Sequence, residues 1–289
     1  MPELPEVETV RCGLKPILTS AKIVSVTLNR KGLRFPFPEA FSERLVGKTI
    51  LELGRRAKYL LFHLSQDETI LSHLGMSGSW RIEDKASEKK CVDKLIAHDH
   101  FIMDVQAKNG KGYRLTYNDP RRFGFILLLE TRRLYEHPLL KKLGLEPMSN
   151  AFSGSYLQKA FLNKKMSLKG ALLDQSIVAG LGNIYVCEAL WRSRLSPQRN
   201  ASTLALKTVS AREFAYSLAQ NIRSVIAEAI VSGGSSLRDY THVDGSLGYF
   251  QHAFSVYGRE GKECLQCGMP IVRILQLGRS SFYCPQCQK

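Results

Sequence analysis

Short apolar runs of strand length dominate the first half of the sequence. The segment KIVSVTLNR alternates apolar and polar residues, which predicts a strand with Val24, Val26 and Leu28 on one face. Further strands are predicted for the runs KYLLFHL, TILSHL, HFIMDVQ, YRLTYN and FGFILLLE. Asn109–Gly110 is typical of a hairpin turn. With a helix in the first dozen residues, these segments predict a two-layer β-sandwich.

Apolar residues take helical spacing in the second half. Helices are predicted for SYLQKAFL, SLKGALLDQ, NIYVCEALWRSRL and the long SAREFAYSLAQNIRSVIAEAIVSGG. Between two of them lies VAGLGN, where Gly180 and Gly182 permit a tight turn with exposed backbone N–H groups. The stretch SGGSSLRDYTHVDGSLGYF predicts a flexible loop. Proline and glycine punctuate residues 136–150, which predicts a linker there.

Four of the seven cysteines lie in the last 26 residues and form two C-x-x-C pairs. Sixteen residues separate the pairs, which fits a four-cysteine zinc site. Four thiolates complete a tetrahedron and leave no open position for a catalytic water, so the spacing predicts one structural zinc ion. The predicted ligands are Cys264, Cys267, Cys284 and Cys287. The other cysteines are scattered, which favours reduced thiols over disulfides.

Charge gives a first indication of the partner. Lysine and arginine number 41 and aspartate and glutamate 26, so the formal net charge is 41 − 26 = +15. This excess favours a polyanionic partner. The sequence shows no apolar run of the ~20 residues that span a membrane and no signal peptide, so we expect a cytoplasmic protein.

Several shorter motifs permit more than one interpretation. The opening PELPE is typical of a helix start, but removal of Met1 would also leave Pro2 as a secondary amine beside Glu3, a nucleophile next to an acid–base group. NDPRRFG and HLGMSG are either plain turns or loop tips that contact bases. Lys58 by default is a solvated lysine, and His98 and His100 could bind metal, although no other residue supports that.

Taken together, these segments resemble the bacterial formamidopyrimidine-DNA glycosylase family. The resemblance runs from end to end of the chain. It is carried by MPELPEVETV, RRAKYLL, HLGMSG, DPRRFG, GLGNIYVCEAL, VYGREG and the four-cysteine segment, in this order. Their conjunction is far more specific than any one of them.

The resemblance implies an α+β fold in three parts. These are an N-terminal β-sandwich with flanking helices, a helix-two-turns-helix domain and a zinc-finger β-hairpin. We expect the catalytic domain at 1–135, a linker at 136–150, the helix-two-turns-helix domain at 151–238 and the lesion-loop end with the zinc finger at 239–289. The implied activity is excision of oxidised purines such as 8-oxoguanine and formamidopyrimidines from duplex DNA, followed by strand cleavage through β,δ-elimination. A monomer without an organic cofactor, acting at the nucleoid, is expected.

The resemblance also implies roles for individual residues. Pro2 would attack the anomeric carbon and form a Schiff base, Glu3 would transfer protons and Glu6 would support it. Lys58 would donate a proton or contact a phosphate, and Arg279 would assist the second elimination. Met76, Arg121 and Phe123 would fill the gap left by the flipped base. The remaining implied DNA contacts are His73, His98, Lys165, Asn183 and Tyr257, with Asn183 and Arg279 at phosphates.

One departure and two rival functions accompany this interpretation. Arg238 stands where the resemblance implies lysine in the loop that covers the flipped base, which leaves the lesion preference open. An endonuclease VIII-like enzyme would share the fold and nucleophile but excise oxidised pyrimidines. A non-catalytic zinc-dependent damage-binding protein would be expected to lose Pro2, Glu3 or Lys58, and all three are present.

Overall fold

The computed structural model describes residues 2–86, 97–235 and 248–289. The chain divides into two compact units. The first runs to Lys141 and takes in the described residues of 233–249, and the second comprises Lys142–Ser232 and Phe250–Lys289. This division into two compact units does not test the domain limits predicted from the sequence, which stay predictions. Within the described residues, the structure contains no helix with the length and apolar character that a membrane span requires.

Two four-stranded antiparallel sheets form the first unit. The strands are β1 Lys22–Leu28, β2 Ile50–Arg56, β3 Tyr59–Leu64, β4 Glu68–His73, β5 Ser79–Asp84, β6 Asp99–Gln106, β7 Gly112–Asn118 and β8 Phe125–Glu130. One sheet has the order β1-β6-β7-β5 and the other β2-β3-β4-β8. Three short helical segments accompany them, α2 Phe41–Leu45, a 3₁₀ helix Thr131–Glu136 and α3 Pro138–Lys141. The predicted β-sandwich is therefore confirmed.

Aromatic side chains from both sheets meet in the core of the sandwich. The rings of Phe62, on β3, and Trp80, on β5, lie 5.4 Å apart. Trp80 also meets Tyr117, on β7, edge-on at 5.0 Å. Burying large rings at such contacts gives more stabilisation than their area alone. The inner faces of the two sheets thus form one apolar core.

The strand at 22–28 departs from the predicted alternation. Ile23 is buried, whereas Val24 is 55% exposed. A β-bulge between Ile23 and Ser25 inserts one unpaired residue into β1 and so reverses the inward and outward positions. The prediction was right for Val26 and Leu28, which pack against the core, and wrong for Val24.

Helix α1, Leu4–Leu18, lies against β2 and β3 and runs antiparallel to β2. At its C-terminal end the backbone of Ser20 bonds to Ile50, at the start of β2. Towards the other end, Glu8 Oε2 accepts a hydrogen bond from Arg55 Nε at 2.7 Å. Arg11 donates to the other oxygen of the same carboxylate. These contacts fix the start of α1 beside the end of β2.

The second unit contains four α-helices, α4 Gly154–Phe161, α5 Leu168–Leu173, α6 Asn183–Arg192 and α7 Val209–Val231. All four predicted helices are confirmed. The hydroxyls of Ser153, Ser167 and Thr208 accept hydrogen bonds from the first turns of α4, α5 and α7, as N-caps do. A β-hairpin of β9 Val272–Gln276 and β10 Arg279–Tyr283 lies near the C-terminus. Short 3₁₀ helices occupy Ala201–Ala205 and Phe250–Ala253.

The predicted flexible loop at 232–250 falls mainly on residues 236–247. Those residues, with Arg238 among them, lie outside the described part of the chain, as do Met1 and Cys91. The predicted linker at 136–150 contains α3 and a bridge of Leu145 with Val178.

Glu8→Gln is expected to reduce stability at neutral pH. Burial raises the pKa of Glu8, but the hydrogen bonds from Arg11 and Arg55 outweigh it and lower the pKa to about 2. Because the folded pKa lies below the unfolded value, this stabilisation is complete above about pH 5 and disappears as pH falls towards 2. Urea unfolding should show a loss of about 2 kcal/mol at pH 7 that shrinks below pH 4.5.

The exposed Glu130, paired with Arg132, provides a matched control. Glu130→Gln should change the free energy of unfolding by less than about 0.5 kcal/mol. A Glu8→Gln effect that is independent of pH between 3 and 7 would contradict the charge-based explanation.

Candidate active site and nucleic-acid interface

The first turn of α1 holds two acidic residues inside the first unit. Glu3 is the N-cap and Glu6 the third helical residue, and each is only 2% exposed. Glu6 Oε2 accepts a hydrogen bond from the Glu3 N–H at 2.8 Å, as in a capping box. The positive end of the helix favours negative charge here. Pro2, also buried, lies directly before this turn, so a helix start and a chemical role are compatible.

Glu6 also binds the segment that follows helix α7 and belongs to the first unit. Its Oε1 accepts hydrogen bonds from Ser235 N at 2.8 Å and Ser235 Oγ at 3.0 Å. Gly234 precedes it with φ +76°, and a Cβ there would lie 3.0 Å from the same oxygen. One carboxylate thus connects the Glu3 backbone with the residues leading into the predicted lesion-covering loop. This geometry supports the auxiliary role that the sequence implies for Glu6.

Lys58 lies in the turn between β2 and β3, at the end of the sheet where α1 begins. Arg55, which binds Glu8, also donates to the Ala57 carbonyl at 3.0 Å. Ala57 has φ +52°, and Lys58 after it is buried. Since Glu8 is only about 8 Å along the helix from Glu3, Pro2, Glu3 and Lys58 occupy the same end of the unit. The structure therefore places the three principal catalytic candidates at one end of the sandwich.

His73, at the end of β4, serves first to hold a turn. It pairs with Tyr59, the residue after Lys58. Its Nδ1 accepts a hydrogen bond from Gly75 N–H at 3.0 Å, so a neutral ring carries its proton on Nε2. Burial, aided by the charges of Lys58 and Arg34, lowers the pKa of His73 to about 4. Its predicted contact with DNA would therefore be that of a neutral group.

Two loops, residues 74–78 and 119–124, present the residues expected to fill the DNA; we call them the tip loops. Met76 is 37% and Phe123 47% exposed, although large apolar side chains are usually buried. The Arg121 guanidinium lies over the Phe123 ring, 5.0 Å from its centroid, a cation–π contact. Arg122, between them, has φ +58°. The structure brings all three predicted side chains to one end of the sandwich.

His98 and His100 have different environments. His98 is exposed with φ +79°, and its carbonyl accepts a hydrogen bond from Asp119 N–H at 3.1 Å, beside the second tip loop. His100 is buried, with Nε2 2.9 Å from the Asp119 carbonyl. Among the described residues, the four C-terminal cysteines are the one group of three or more metal-binding side chains that converges. The metal interpretation of the two histidines therefore gains no support.

In the second unit, Asn183 lies beside the residue that follows Arg279. Asn183 is the first residue of α6, and its Nδ2 donates to the Ser280 carbonyl at 2.9 Å. Lys169, fully buried, donates to the same carbonyl at 3.0 Å and to Ser281 Oγ at 2.6 Å. The exposed Arg279 is thereby fixed next to a helix N-terminus, a combination suited to phosphate.

Two further predicted contacts lie elsewhere in this unit. Lys165 is exposed in the turn before α5. Tyr257 is half-buried, with its ring edge-on to Phe282 of the hairpin at 5.1 Å. The buried carboxylate of Glu188 accepts hydrogen bonds at 2.8–3.0 Å from the N–H groups of Ser255, Val256 and Tyr257. Glu188 on α6 therefore fixes the backbone that carries Tyr257.

The four cysteines predicted to bind zinc converge beside the hairpin. Their sulfur atoms all lie within 4.8 Å of one another, with Cys264–Cys287 at 3.9 Å and Cys267–Cys284 at 3.5 Å. A regular tetrahedron with zinc–sulfur bonds of about 2.3 Å has sulfurs about 3.8 Å apart. The residues fit a structural zinc ion. Val256, Ile271 and Trp191 pack around the cluster.

Sequence reasoning missed several residues that position these groups, namely Ser77, Asp119, Lys169 and Glu188. A lone buried polar residue gives no periodic or spacing signal, because its partners are distant in sequence. Lys169 and Glu188 each sit within a helical pattern and are indistinguishable there from solvated residues. Ser77, Asp119 and Glu188 did lie inside the quoted motifs HLGMSG, DPRRFG and GLGNIYVCEAL, and that was the one available signal.

Comparison with known proteins agrees with this geometry. Family models match for the formamidopyrimidine-DNA glycosylase N-terminal domain at residues 1–126, its H2TH domain at 143–241, and the zinc finger found in FPG and IleRS at 261–289. A formamidopyrimidine-DNA glycosylase of Bartonella henselae is 80% identical over 291 residues, covering all of both chains.

Solved structures give the same result. A mutant Lactococcus lactis FPG bound to DNA containing Fapy-dG has a TM-score of 0.86 at 34% identity, with both chains fully covered. The Lactococcus lactis Fpg bound to abasic-site DNA has a TM-score of 0.85 at 34% identity, with 99% of each chain covered. The α+β fold with its sandwich, helical domain and zinc finger is thus confirmed, and the chain belongs to the formamidopyrimidine-DNA glycosylase family, whose members are DNA repair glycosylases with AP lyase activity.

Proposed function

We propose that this chain excises oxidised purines from duplex DNA through a covalent bond to Pro2 and then cleaves the strand by β,δ-elimination. One observation carries the proposal: Pro2 and Glu3 are held at a buried helix start, at the same end of the first unit as Lys58 and the tip loops. A base inside a duplex is inaccessible, so it must first be extruded at a cost of a few kcal/mol.

The nucleophile in this proposal is the nitrogen of Pro2 after removal of Met1. An α-amino group has a pKa near 7.7–8.0, so roughly a tenth is neutral at pH 7. Its lone pair attacks the anomeric carbon, the bond to the base breaks, and the sugar ring opens as its oxygen takes a proton. Glu3 is the proton carrier. Because Pro2 is a secondary amine, its adduct with the opened sugar is a cationic iminium. The iminium withdraws electrons from the sugar and so favours elimination of the two phosphates, one after the other.

Other residues of the site bind and orient the DNA in this proposal. Lys58 donates a proton or contacts a phosphate near the lesion, and Glu6 supports the N-terminal turn. Asn183 and Arg279 bind phosphate, supported by the position of Asn183 at the start of α6 and by its hydrogen bond to the carbonyl of Ser280, the residue after Arg279. Arg279 also assists the second elimination. The remaining DNA contacts in the proposal are His73, His98, Lys165 and Tyr257.

The extrahelical base leaves a gap that Met76, Arg121 and Phe123 fill, with Arg121 reaching the orphaned cytosine. Their exposure and the cation–π contact of Arg121 with Phe123 support this role. We further propose that the protein acts as a monomer in the bacterial cytoplasm, at the nucleoid. The charge of +15 supports association with the polyanionic chromosome.

Removal of one zinc ligand should separate metal binding from the fold of the sandwich. Cys264→Ser is expected to lower zinc below one ion per chain and to weaken DNA binding at least tenfold, because the hairpin carrying Arg279 loses its cross-link. Metal analysis, circular dichroism and DNA titration measure the three effects. Cys12→Ser, at an exposed cysteine in α1, is the control. Full zinc in Cys264→Ser would contradict the assignment.

Phe123→Ala should slow excision of 8-oxoguanine from duplex DNA more than cleavage at a preformed abasic site. The reason is that the ring helps to extrude the base, and an abasic site has no base to extrude. Single-turnover rates on both duplexes test this. Equal losses on the two substrates would mean that Phe123 only packs against Arg121.

Sequencing of a borohydride-trapped adduct tests the mechanism itself. Processed protein should trap on duplexes containing 8-oxoguanine with the DNA attached to Pro2. A form that keeps Met1 should bind DNA but trap poorly, because its Pro2 nitrogen is an amide with a delocalised lone pair. Pro2→Gly keeps an amine and should retain some lyase activity while losing most glycosylase activity.

Three outcomes would overturn the proposal. Attachment of the adduct to a lysine, Lys58 included, would exclude Pro2 as the nucleophile. Faster trapping on a duplex with an oxidised pyrimidine would favour the endonuclease VIII-like alternative, and binding without trapping on either duplex would favour a damage-binding protein.

A further inference from the structure

The two tip loops are neighbours because of how the strands are paired. The first loop leads from β4 to β5 and the second from β7 to β8. Since β4 pairs with β8 and β5 with β7, both loops cross between the two sheets side by side. The strand pairs that flank the crossing are His73 with Phe125 and Ser79 with Asn118. The sandwich topology therefore brings the loops together but leaves their conformation to local contacts.

A fully buried carboxylate connects the loops beneath their exposed side chains. Asp119 Oδ1 accepts a hydrogen bond from Ser77 Oγ at 2.6 Å. Asp119 Oδ2 accepts one from the Gly124 N–H at 2.8 Å, at the other end of its own loop. Ser77 Oγ in turn accepts from the Arg121 N–H at 3.1 Å. This chain of bonds joins the residue after Met76 to the backbone on both sides of Phe123.

The main chains of the two loops pack closely against each other. A Cβ on Gly75 would lie 2.4 Å from Gly124 N, and a Cβ on Gly124 would lie 1.9 Å from Tyr117 Oη. Tyr117 itself is buried and donates to the His73 carbonyl at 3.0 Å. Only glycine fits at either position, so the loops touch through their main chains.

We propose that Ser77 and Asp119 are positioning residues that make the two tip loops one rigid unit, so that Met76, Arg121 and Phe123 enter the duplex together. This inference rests on the proposed function of those three side chains. A loop that is ordered before binding loses less conformational entropy when it inserts. Displacement of about 1 Å in a positioned group can reduce a rate about 100-fold. Neither Ser77 nor Asp119 need touch DNA for this effect.

The test uses Ser77→Ala and a control with the same change elsewhere. Ser72→Ala removes a buried hydroxyl from β4 that accepts a hydrogen bond from Trp80 Nε1 in the sandwich core rather than one from a residue of either tip loop. Single-turnover rates are measured on a duplex with 8-oxoguanine and on one with a preformed abasic site. Ser77→Ala should slow the first reaction about tenfold or more and the second less than about twofold. Ser72→Ala should affect both rates equally.

A double-mutant cycle supplies a second readout. If the loops act as one unit, Phe123→Ala should slow excision much less in the Ser77→Ala background than in the native protein. Additive effects would mean that the loops act independently and would overturn the proposal. If thermal unfolding shows that Ser77→Ala is not folded, Asp119→Asn replaces it. Asparagine retains the volume of aspartate but cannot accept the hydrogen bonds from both Ser77 and Gly124.

The outcomes separate this inference from the proposed function. Selective loss with Phe123→Ala but not with Ser77→Ala or Asp119→Asn would leave base extrusion intact and overturn the positioning role. Equal losses of Ser77→Ala and Ser72→Ala on the lesion duplex would overturn it as well. If Phe123→Ala is itself unselective, the gap-filling function fails, and the positioning role fails with it.

Discussion

The position of the first turn of α1 constrains everything else in the candidate active site. In the proposed mechanism Pro2 becomes a chain end once Met1 is removed, and a group at a chain end is held from one side only, so the residues that follow must fix it. Here the bond of Glu6 to the Glu3 backbone fixes the turn, and the ion pair of Glu8 with Arg55 fixes the helix against β2. Because α1 runs antiparallel to β2, its start lies beside the turn that carries Lys58. Helix α1 is about as long as β2. If α1 ran parallel to β2 instead, Pro2 would lie at the opposite end of the sandwich.

The second unit solves a different physical problem, because its hairpin is too small to bury a core. The cluster around Cys264 and Cys284 contains few apolar residues, and small modules of this kind depend on a metal for their stability. The zinc site and the buried Lys169 act on the same hairpin from two sides, one through its cysteines and one through the Ser280 carbonyl. The exposed arginine at its turn can then face a polyanion with a fixed backbone behind it.

Much of this architecture could be predicted from the sequence, for reasons that differ between elements. Strand and helix positions followed from periodicity, and the zinc ligands from spacing, since both are local signals. Val24 was misplaced because a bulge changes the phase of a strand without changing its composition. Ser77, Asp119 and Glu188 could not be found, because their roles depend on hydrogen bonds to residues 42 and 67–69 positions away. Motif resemblance pointed to the candidate residues of the site, buried and exposed, whereas the structure was needed to find what holds them.

The distribution of tryptophan has a practical consequence. The chain contains two tryptophans, and each lies in a different unit. Trp80 is buried in the aromatic core of the sandwich, and Trp191 packs against the zinc-binding cysteines. Replacing either one by phenylalanine would leave a protein whose tryptophan fluorescence reports on a single unit. The emission of Trp191 would then follow metal loss and helical unfolding, while that of Trp80 would follow the opening of the sandwich against which α1 packs.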